Sequence, residues 1–187
     1  KPGDATRSVS RGVAIDYYLK QPADTVTIEI LDGQGKTIKT FTGTPPPATP
    51  AADATPPASG EEGFRPAPAR VAVKQGLNRF VWDTRYPDAK GFPGLIMWAG
   101  TVRGPIAPPG QYQVRLTAAG VTKTQPFAIV RKPGISATDA DLTEQFSLAS
   151  RISAKVTAAN EAVVRIRALK EQIAERAAKT GEAPIKK

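Results

Sequence analysis

Apolar and polar residues alternate along the first two thirds of the chain, which predicts β-strands. The pattern is clearest at 25–31, where Val26, Ile28 and Ile30 share one face, and this period of two is typical of a half-buried strand. The residues Asp32-Gly33-Gln34-Gly35 come next and favour a hairpin turn. Similar runs occupy residues 13–19, 36–41, 70–73, 77–83, 112–116 and 121–130. Six or seven short strands with no helix between them predict an antiparallel β-sandwich over residues 12–131.

A helical period replaces this alternation after Pro133-Gly134. Residues 139–178 contain neither Gly nor Pro, and Asp139 and Asp141 place negative charge where a helix N-terminus favours it. Apolar residues then recur every three or four positions, at Leu142, Phe146, Ala149, Ile152, Val156, Ala159, Val163, Ile166, Leu169 (or Lys170) and Ile173. This heptad-like seam predicts a long amphipathic helix within 135–179, or a hairpin arm broken near 158–160. A straight helix of about forty residues would extend ~60 Å. Packing on the sandwich could cover about half of its seam, and the distal part predicts either self-dimerisation or docking on a different protein.

Three further segments carry no periodic pattern. Residues 43–69 are rich in Pro and Ala, which predicts a flexible loop inserted in the sandwich. Residues 1–11 form an N-terminal extension, and 180–187 form a C-terminal tail. Because the chain begins with Lys1 rather than Met, we expect a fragment or a processed product.

The composition argues against an enzyme. The 187 residues include no His and no Cys, which removes the commonest general base, the commonest metal ligand and the thiol nucleophile. The carboxylates of Asp83 and Asp88, or of Glu61-Glu62, could in principle form an acid–base pair. Asp83 beside Arg85 is better explained as a hydrogen-bond anchor at the end of a strand. The short acidic groups 32–35 and 139–141 lack the ligand spacing of a calcium loop. We therefore predict no catalytic residue, no cofactor and no metal.

The charge and hydropathy patterns argue against nucleic-acid binding and against a membrane-spanning segment. The formal net charge is +9, but the basic residues are scattered and form no Lys/Arg-rich block, which argues against nucleic-acid binding. The longest apolar run, 95–99, is too short to span a bilayer. The sequence therefore predicts no transmembrane segment of its own.

Several motifs resemble known bacterial families. Residues 26–36, 76–83 and 104–116 resemble, in this order, the immunoglobulin-like module of flagellar hook-capping proteins and C-terminal sorting domains. More widely, residues 12–173 resemble the C-terminal region of exported BNR-repeat proteins, often labelled sortilin-like or glycosyl-hydrolase-like. The matching motifs are Asp83-x-Arg85-Tyr86-Pro87, Pro93-Gly94-Leu95-Ile96-Met97-Trp98 and Ala159-Asn160-Glu161-Ala162-Val163.

This resemblance implies an Ig-like sandwich, export to the periplasm or the cell exterior, and an accessory role. In such proteins any sialidase-like chemistry would lie in a preceding β-propeller, which is not in this chain, so no catalytic residue carries over. The family's further helix, which could complete a helical hairpin, is also not in this chain.

The apolar loop 92–98 allows two interpretations. It either plugs one end of the sandwich, which we favour, or exposes Met97 and Trp98 to a partner. The candidate partner-binding residues in the loop and the helix are Leu95, Met97, Trp98, Val156, Val163, Ile166 and Ile173.

We expect a non-catalytic structural subunit that stabilises a larger envelope or membrane-associated assembly. Its partners would be other protein subunits, such as those of a membrane-embedded complex at its periplasmic face. The alternative is a carbohydrate-binding or substrate-positioning domain of an exported hydrolase. That alternative predicts a row of exposed aromatic side chains drawn from Tyr17, Tyr18, Tyr86 and Trp98.

Overall fold

The chain forms two compact units in a computed structural model that describes residues 12–45, 70–98 and 100–180. The first unit comprises residues up to 84 together with 109–130, and the second comprises 85–108 together with the residues from 131 onward. Residues 85–108, which lie within the bounds of the predicted sandwich, belong to the unit of the helix. The N-terminal extension, positions 46–69 of the Pro-rich loop and the tail from 181 lie outside the described residues.

The described part of the first unit contains six antiparallel strands. They are β1 (Val13–Leu19), β2 (Val26–Asp32), β3 (Thr37–Gly43), β4 (Gly76–Trp82), β5 (Gly110–Ala118) and β6 (Val121–Ile129). Strands β1 and β4 form one sheet, and the order β3-β2-β5-β6 forms the other. Helix α1 (Asp139–Thr180) belongs to the second unit. The prediction of a mainly β chain with a C-terminal helix is therefore confirmed.

Aromatic side chains join the two sheets into one core. Trp82 and Phe80 alternate on the inner face of β4 and are fully buried. The Trp82 ring lies 6.1 Å from that of Tyr112 on β5 and 6.3 Å from that of Phe127 on β6. Phe80 packs at 4.7 Å against Phe41 on β3. The smaller sheet thus presents its aromatic face to three strands of the larger one.

Strand β2 supplies the aliphatic part of this core. The predicted face of Val26, Ile28 and Ile30 is wholly buried. Leu31 is buried as well. Beside it the β2–β3 register shifts, because β3 carries one extra residue, Ile38, between the partners of Ile30 and Leu31.

The predicted strand at 70–73 is wrong. Its backbone carbonyls accept isolated hydrogen bonds in place of a ladder: that of Ala72 from the Tyr17 hydroxyl and that of Val73 from the Ala23 amide, at 3.0 Å. Alternating residues can therefore be anchored in a core without pairing as a strand.

Helix α1 begins with a reciprocal cap and continues for 42 residues without a break. The Thr138 backbone N–H donates to the Asp141 carboxylate at 2.8 Å, and the Asp141 N–H donates to the Thr138 hydroxyl at 3.1 Å. These bonds satisfy free amides of the first turn, and they lower the pKa of Asp141. The alternative of two helices broken near 158–160 is wrong. Among the described residues, no helix combines the length and the apolarity that crossing a bilayer requires.

Removing the Trp82 side chain should destabilise the first unit strongly. We expect Trp82→Ala to lower the free energy of unfolding by about 3–5 kcal/mol, because a large buried side chain leaves a cavity. Leu77→Ala, an exposed position of the same strand, should cost far less. Urea unfolding followed by circular dichroism measures both free energies. Equal losses of stability in the two variants would contradict the placement of Trp82 in the core.

Candidate functional site

The segment 85–108 folds into a closed loop, referred to below as the docked loop. Its ends meet in an antiparallel bridge between Arg85 and Ile106. The Tyr86 amide donates to the Pro105 carbonyl at 2.9 Å, and the Ala89 amide donates to the Val102 carbonyl at 2.7 Å. These long-range bonds fix the base of the loop and leave the apolar residues 92–98 at its tip.

Gly104 holds the base of the docked loop together. Its N–H donates to the Asp88 carboxylate at 2.8 Å, and its carbonyl accepts from the Arg85 guanidinium at 2.7 Å. A Cβ at this position would lie 2.0 Å from the Tyr86 carbonyl oxygen and 2.4 Å from that of Pro87. Only glycine permits this approach, and the Asp88 carboxylate anchors the amide of Gly104.

The centre of the docked loop is attached to α1 through one residue, Lys90. The Lys90 carbonyl accepts a 2.7 Å hydrogen bond from the Asn160 side-chain amide, and the Lys90 N–H donates to the Thr157 hydroxyl at 3.2 Å. The Lys90 ammonium reaches the Glu161 carboxylate at 2.6 Å, and this contact lowers the pKa of Glu161. Asn160 is only 8% exposed, so its amide is committed to the loop.

Two ring contacts extend the attachment along the helix. Near its N-terminal end, Tyr86 packs against Phe146 with ring centroids 4.7 Å apart. Further along, the Arg167 guanidinium lies 4.6 Å from the centroid of the Phe92 ring and donates to the Pro93 carbonyl at 3.2 Å. Because Phe146 and Arg167 are six turns apart, the docked loop follows about 30 Å of the helix.

The apolar tip of the loop is only partly covered. A turn at Pro93-Gly94, with Gly94 at φ 78°, reverses the chain. Leu95 and Met97 are half-buried, whereas Trp98 is 87% exposed. We favoured the sandwich as the surface against which this segment packs. The hydrogen bond to Pro93 and the cation–π contact with Phe92 are both made by α1, which belongs to the same unit as the loop.

The predicted helical seam divides between two faces. The docked loop's side carries half-buried residues, namely Leu142, Phe146, Ala149, Val156 and Val163. Five bulky residues instead form an exposed stripe, each between 52% and 59% exposed: Leu148, Ile152, Ile166, Leu169 and Ile173. The seam divides because two successive steps of three residues, at 146–149–152 and at 163–166–169, rotate it around the helix axis.

The structure therefore separates the predicted partner-binding residues. Val156 and Val163 are half-buried, while Ile166 and Ile173 remain exposed. Leu148 belongs to the exposed stripe and was missed, although its spacing of four from Ile152 was a usable signal.

Lys90, Glu161 and Arg167 were also missed as anchors of the docked loop, because no local pattern indicates which distant carbonyl or ring a cation will reach. Asn160 gave a signal, a polar residue in an apolar run, but it was interpreted as a possible break in the helix.

The short acidic groups have structural roles. The Asp32 carboxylate accepts from the amides of Gln34 at 3.0 Å and Lys36 at 2.9 Å, which closes the β2–β3 turn. Asp141 belongs to the helix cap. Within the described ranges, no three acidic side chains gather as a metal site.

Comparisons of the chain with protein-family models, curated proteins and solved structures find no match. The case for a function therefore depends on the chain's own geometry.

Asn160→Leu should loosen the docked loop. Leucine has the higher helix propensity, so the substitution would stabilise a helix that stood alone. Here it removes the donor to the Lys90 carbonyl, and we expect a loss of ~1–2 kcal/mol with faster amide hydrogen exchange at 89–102. Glu171→Leu, on the same face one turn beyond Arg167, is the matched control. Unchanged exchange in Asn160→Leu would contradict the attachment.

The ion pair at Lys90 should give a pH-dependent contribution to the docking of the loop. Because the pKa of Glu161 is lowered from 4.5 in the folded chain, its stabilising contribution is present above pH 4.5. That contribution is lost as the pH falls below 4.5, through the folded pKa. A carboxyl NMR titration should show the pKa of Glu161 returning toward 4.5 in Lys90→Met. The lowered pKa of Asp141, which depends on Thr138, should not change; a parallel change would contradict the assignment.

Proposed function

We propose that this protein is a non-catalytic interaction module that stabilises a larger assembly through the exposed stripe and the apolar tip of the docked loop. The observation that carries the proposal is the exposure of five bulky aliphatic side chains on α1. A helix gains most of its stability by burying an apolar face. The docked loop covers one such face, so a second apolar face of this length favours burial by another polypeptide.

The tip of the docked loop offers a second contact. Ile96 and Trp98 are exposed beside the half-buried Leu95 and Met97. A large aromatic side chain next to aliphatic neighbours is a common anchor at protein interfaces. The rigid base at Arg85, Tyr86 and Gly104 would present this anchor with little loss of conformational entropy on binding.

We further propose that the first unit is Ig-like and that the protein is an exported accessory subunit, positioned at the periplasmic face of a membrane-embedded complex. The two antiparallel sheets with a shared aromatic core support the first part. The second part depends on the resemblance to exported BNR-repeat proteins. In its support, all three motifs that carry the resemblance help to attach the docked loop to α1. Tyr86 packs against Phe146, the Pro93 carbonyl accepts from Arg167, and the Asn160 amide donates to the Lys90 carbonyl.

A glycan-binding role has weaker support. Trp98 and Tyr18 are exposed, but they belong to different units. Tyr17 is buried, and Tyr86 packs against Phe146. The row of aromatic side chains that a sugar-binding face would require is therefore not formed within the described part of either unit. Loss of glycan binding in Trp98→Ala, with the stripe intact, would favour this alternative.

The test is the native mass of the protein isolated from its source without denaturant. We expect it to co-migrate with polypeptides of other sequence. Ile166→Asp/Ile173→Asp should release it, because burying two carboxylates in an apolar interface is unfavourable. Ala168→Asp, which adds one carboxylate on the opposite side of the helix, should leave the assembly intact, whereas Ile166→Asp alone should already weaken it.

Two results would contradict the proposal. The first is a native protein free of other polypeptides. The second is an assembly that is indifferent both to the stripe substitutions and to Trp98→Ala.

A further inference from the structure

The exposed stripe lies on a continuous coiled-coil seam. From Leu148 to Ile173 the seam advances by alternate steps of four and three residues, and its positions between Ile152 and Ile166 are Lys155, Ala159 and Ala162. One set of core positions, the a positions, holds Ile152, Ala159, Ile166 and Ile173, and the other set, the d positions, holds Leu148, Lys155, Ala162 and Leu169. This is the seam that pairs with a second helix by knobs-into-holes packing.

Charge decides the direction in which a second copy can pair. In a parallel, in-register pair, Lys155 would face Lys155 of the second copy, and Arg165 would face Lys170 of the second copy. Like charges placed against each other disfavour that arrangement. The charges therefore argue against a parallel dimer.

An antiparallel pair removes these conflicts. One register places Leu148 against Ile173 of the second copy and Ile152 against Leu169 of the second copy. At the centre, Ala159 faces Ala162, so the two backbones can approach closely. Lys155 faces Ile166, where its aliphatic stem covers the isoleucine while the ammonium reaches water.

The flanking positions fit the same register. Glu144 faces Lys179 of the second copy, which is an attractive pair that occurs twice by symmetry. Arg165 faces Ala158 of the second copy, and Lys170 faces Ala149 of the second copy, so no flanking cation meets another. The acidic residues nearer the middle of the helix, Glu161 and Glu171, lie away from the seam.

We infer that the exposed stripe binds a second copy of this chain, as an antiparallel helix pair centred between Ala159 and Ala162. The inference rests on the proposed function only in treating the stripe as an interface. The paired chains present two tips of the docked loop to other subunits, so loss of the pair also weakens the assembly. Two chains of charge +9 repel each other, but at physiological salt the screening length is about 8 Å. The apolar contact then decides the outcome, and added salt should strengthen it.

The first measurement is sedimentation equilibrium of the purified full chain. We expect a monomer–dimer equilibrium that Ile166→Asp weakens by at least about tenfold, since a bulky apolar contact is lost at two symmetric places. Ala168→Asp should leave the equilibrium unchanged. Circular dichroism should give equal helix content for both variants, because both positions are exposed in the monomer.

Disulfide trapping then tests the direction. The chain has no Cys, so single-cysteine variants have no background. Mixed Ile152→Cys and Leu169→Cys chains should form a disulfide between the two variants under mild oxidation. Each variant alone should not, because its two cysteines would lie about 25 Å apart along the axis. Disulfides within each variant alone would indicate a parallel pair and overturn the inference.

The two proposals fail separately. A chain that is monomeric when purified, yet released by Ile166→Asp from an assembly of other polypeptides, overturns the self-association and leaves the proposed function in place. A trapped antiparallel dimer whose native form contains only this chain supports the self-association and contradicts the assembly with other subunits.

Discussion

The arrangement of the second unit depends on one backbone carbonyl, that of Lys90, and on the amide of Asn160 that reaches it. A long helix beside a loop with little regular structure has few ways to hold that loop in register. An Asn in the middle of an apolar face provides one, because its buried amide is costly to leave unpaired. The neighbouring hydroxyl of Thr157 and carboxylate of Glu161 engage the amide and the ammonium of the same lysine. Three side chains from neighbouring turns of the helix, those of Thr157, Asn160 and Glu161, thus hold one residue of the loop.

This attachment determines which part of the helix remains available. The docked loop follows the side of α1 that carries Phe146, Asn160 and Arg167. The exposed stripe lies on the neighbouring side, where side chains of similar bulk have no such cover. The covered face orders the loop and its tip, and the stripe is left for association. One amphipathic helix therefore serves both the internal stability of its unit and the interface that we propose.

The first unit obeys a simpler constraint. Two of its strand pairs join consecutive strands, and two, β1–β4 and β2–β5, join strands that are distant in the chain. Aromatic rings on β4 fill the space between its two sheets. Exposed cross-strand pairs such as Asp16–Arg79, at 2.7 Å, lie on the outer face, where an ion pair adds little to stability. The unit's stability is therefore concentrated in a few buried side chains, with Trp82 foremost.

The sequence alone determined the local elements of this protein. Alternation located β1 and β2 to within a residue, the Asp-Gly turn located the hairpin, and the run without Gly or Pro located the helix. Each of these signals depends on neighbours in the chain, and backbone geometry converts their period directly into a face. The absence of His and Cys likewise limited the available chemistry before any fold was known.

Tertiary structure decided everything that depends on distant partners. The alternating residues 70–73 formed no strand because their carbonyls bonded elsewhere. Asn160 was ambiguous between a helix break and an anchor until the Lys90 carbonyl, seventy residues earlier, was known to lie against it. A helical period identifies apolar positions, but it does not reveal which of them a loop will cover. Val163 and Ile166 are equivalent in the sequence pattern, and only the path of residues 85–98 left one half-buried and the other exposed.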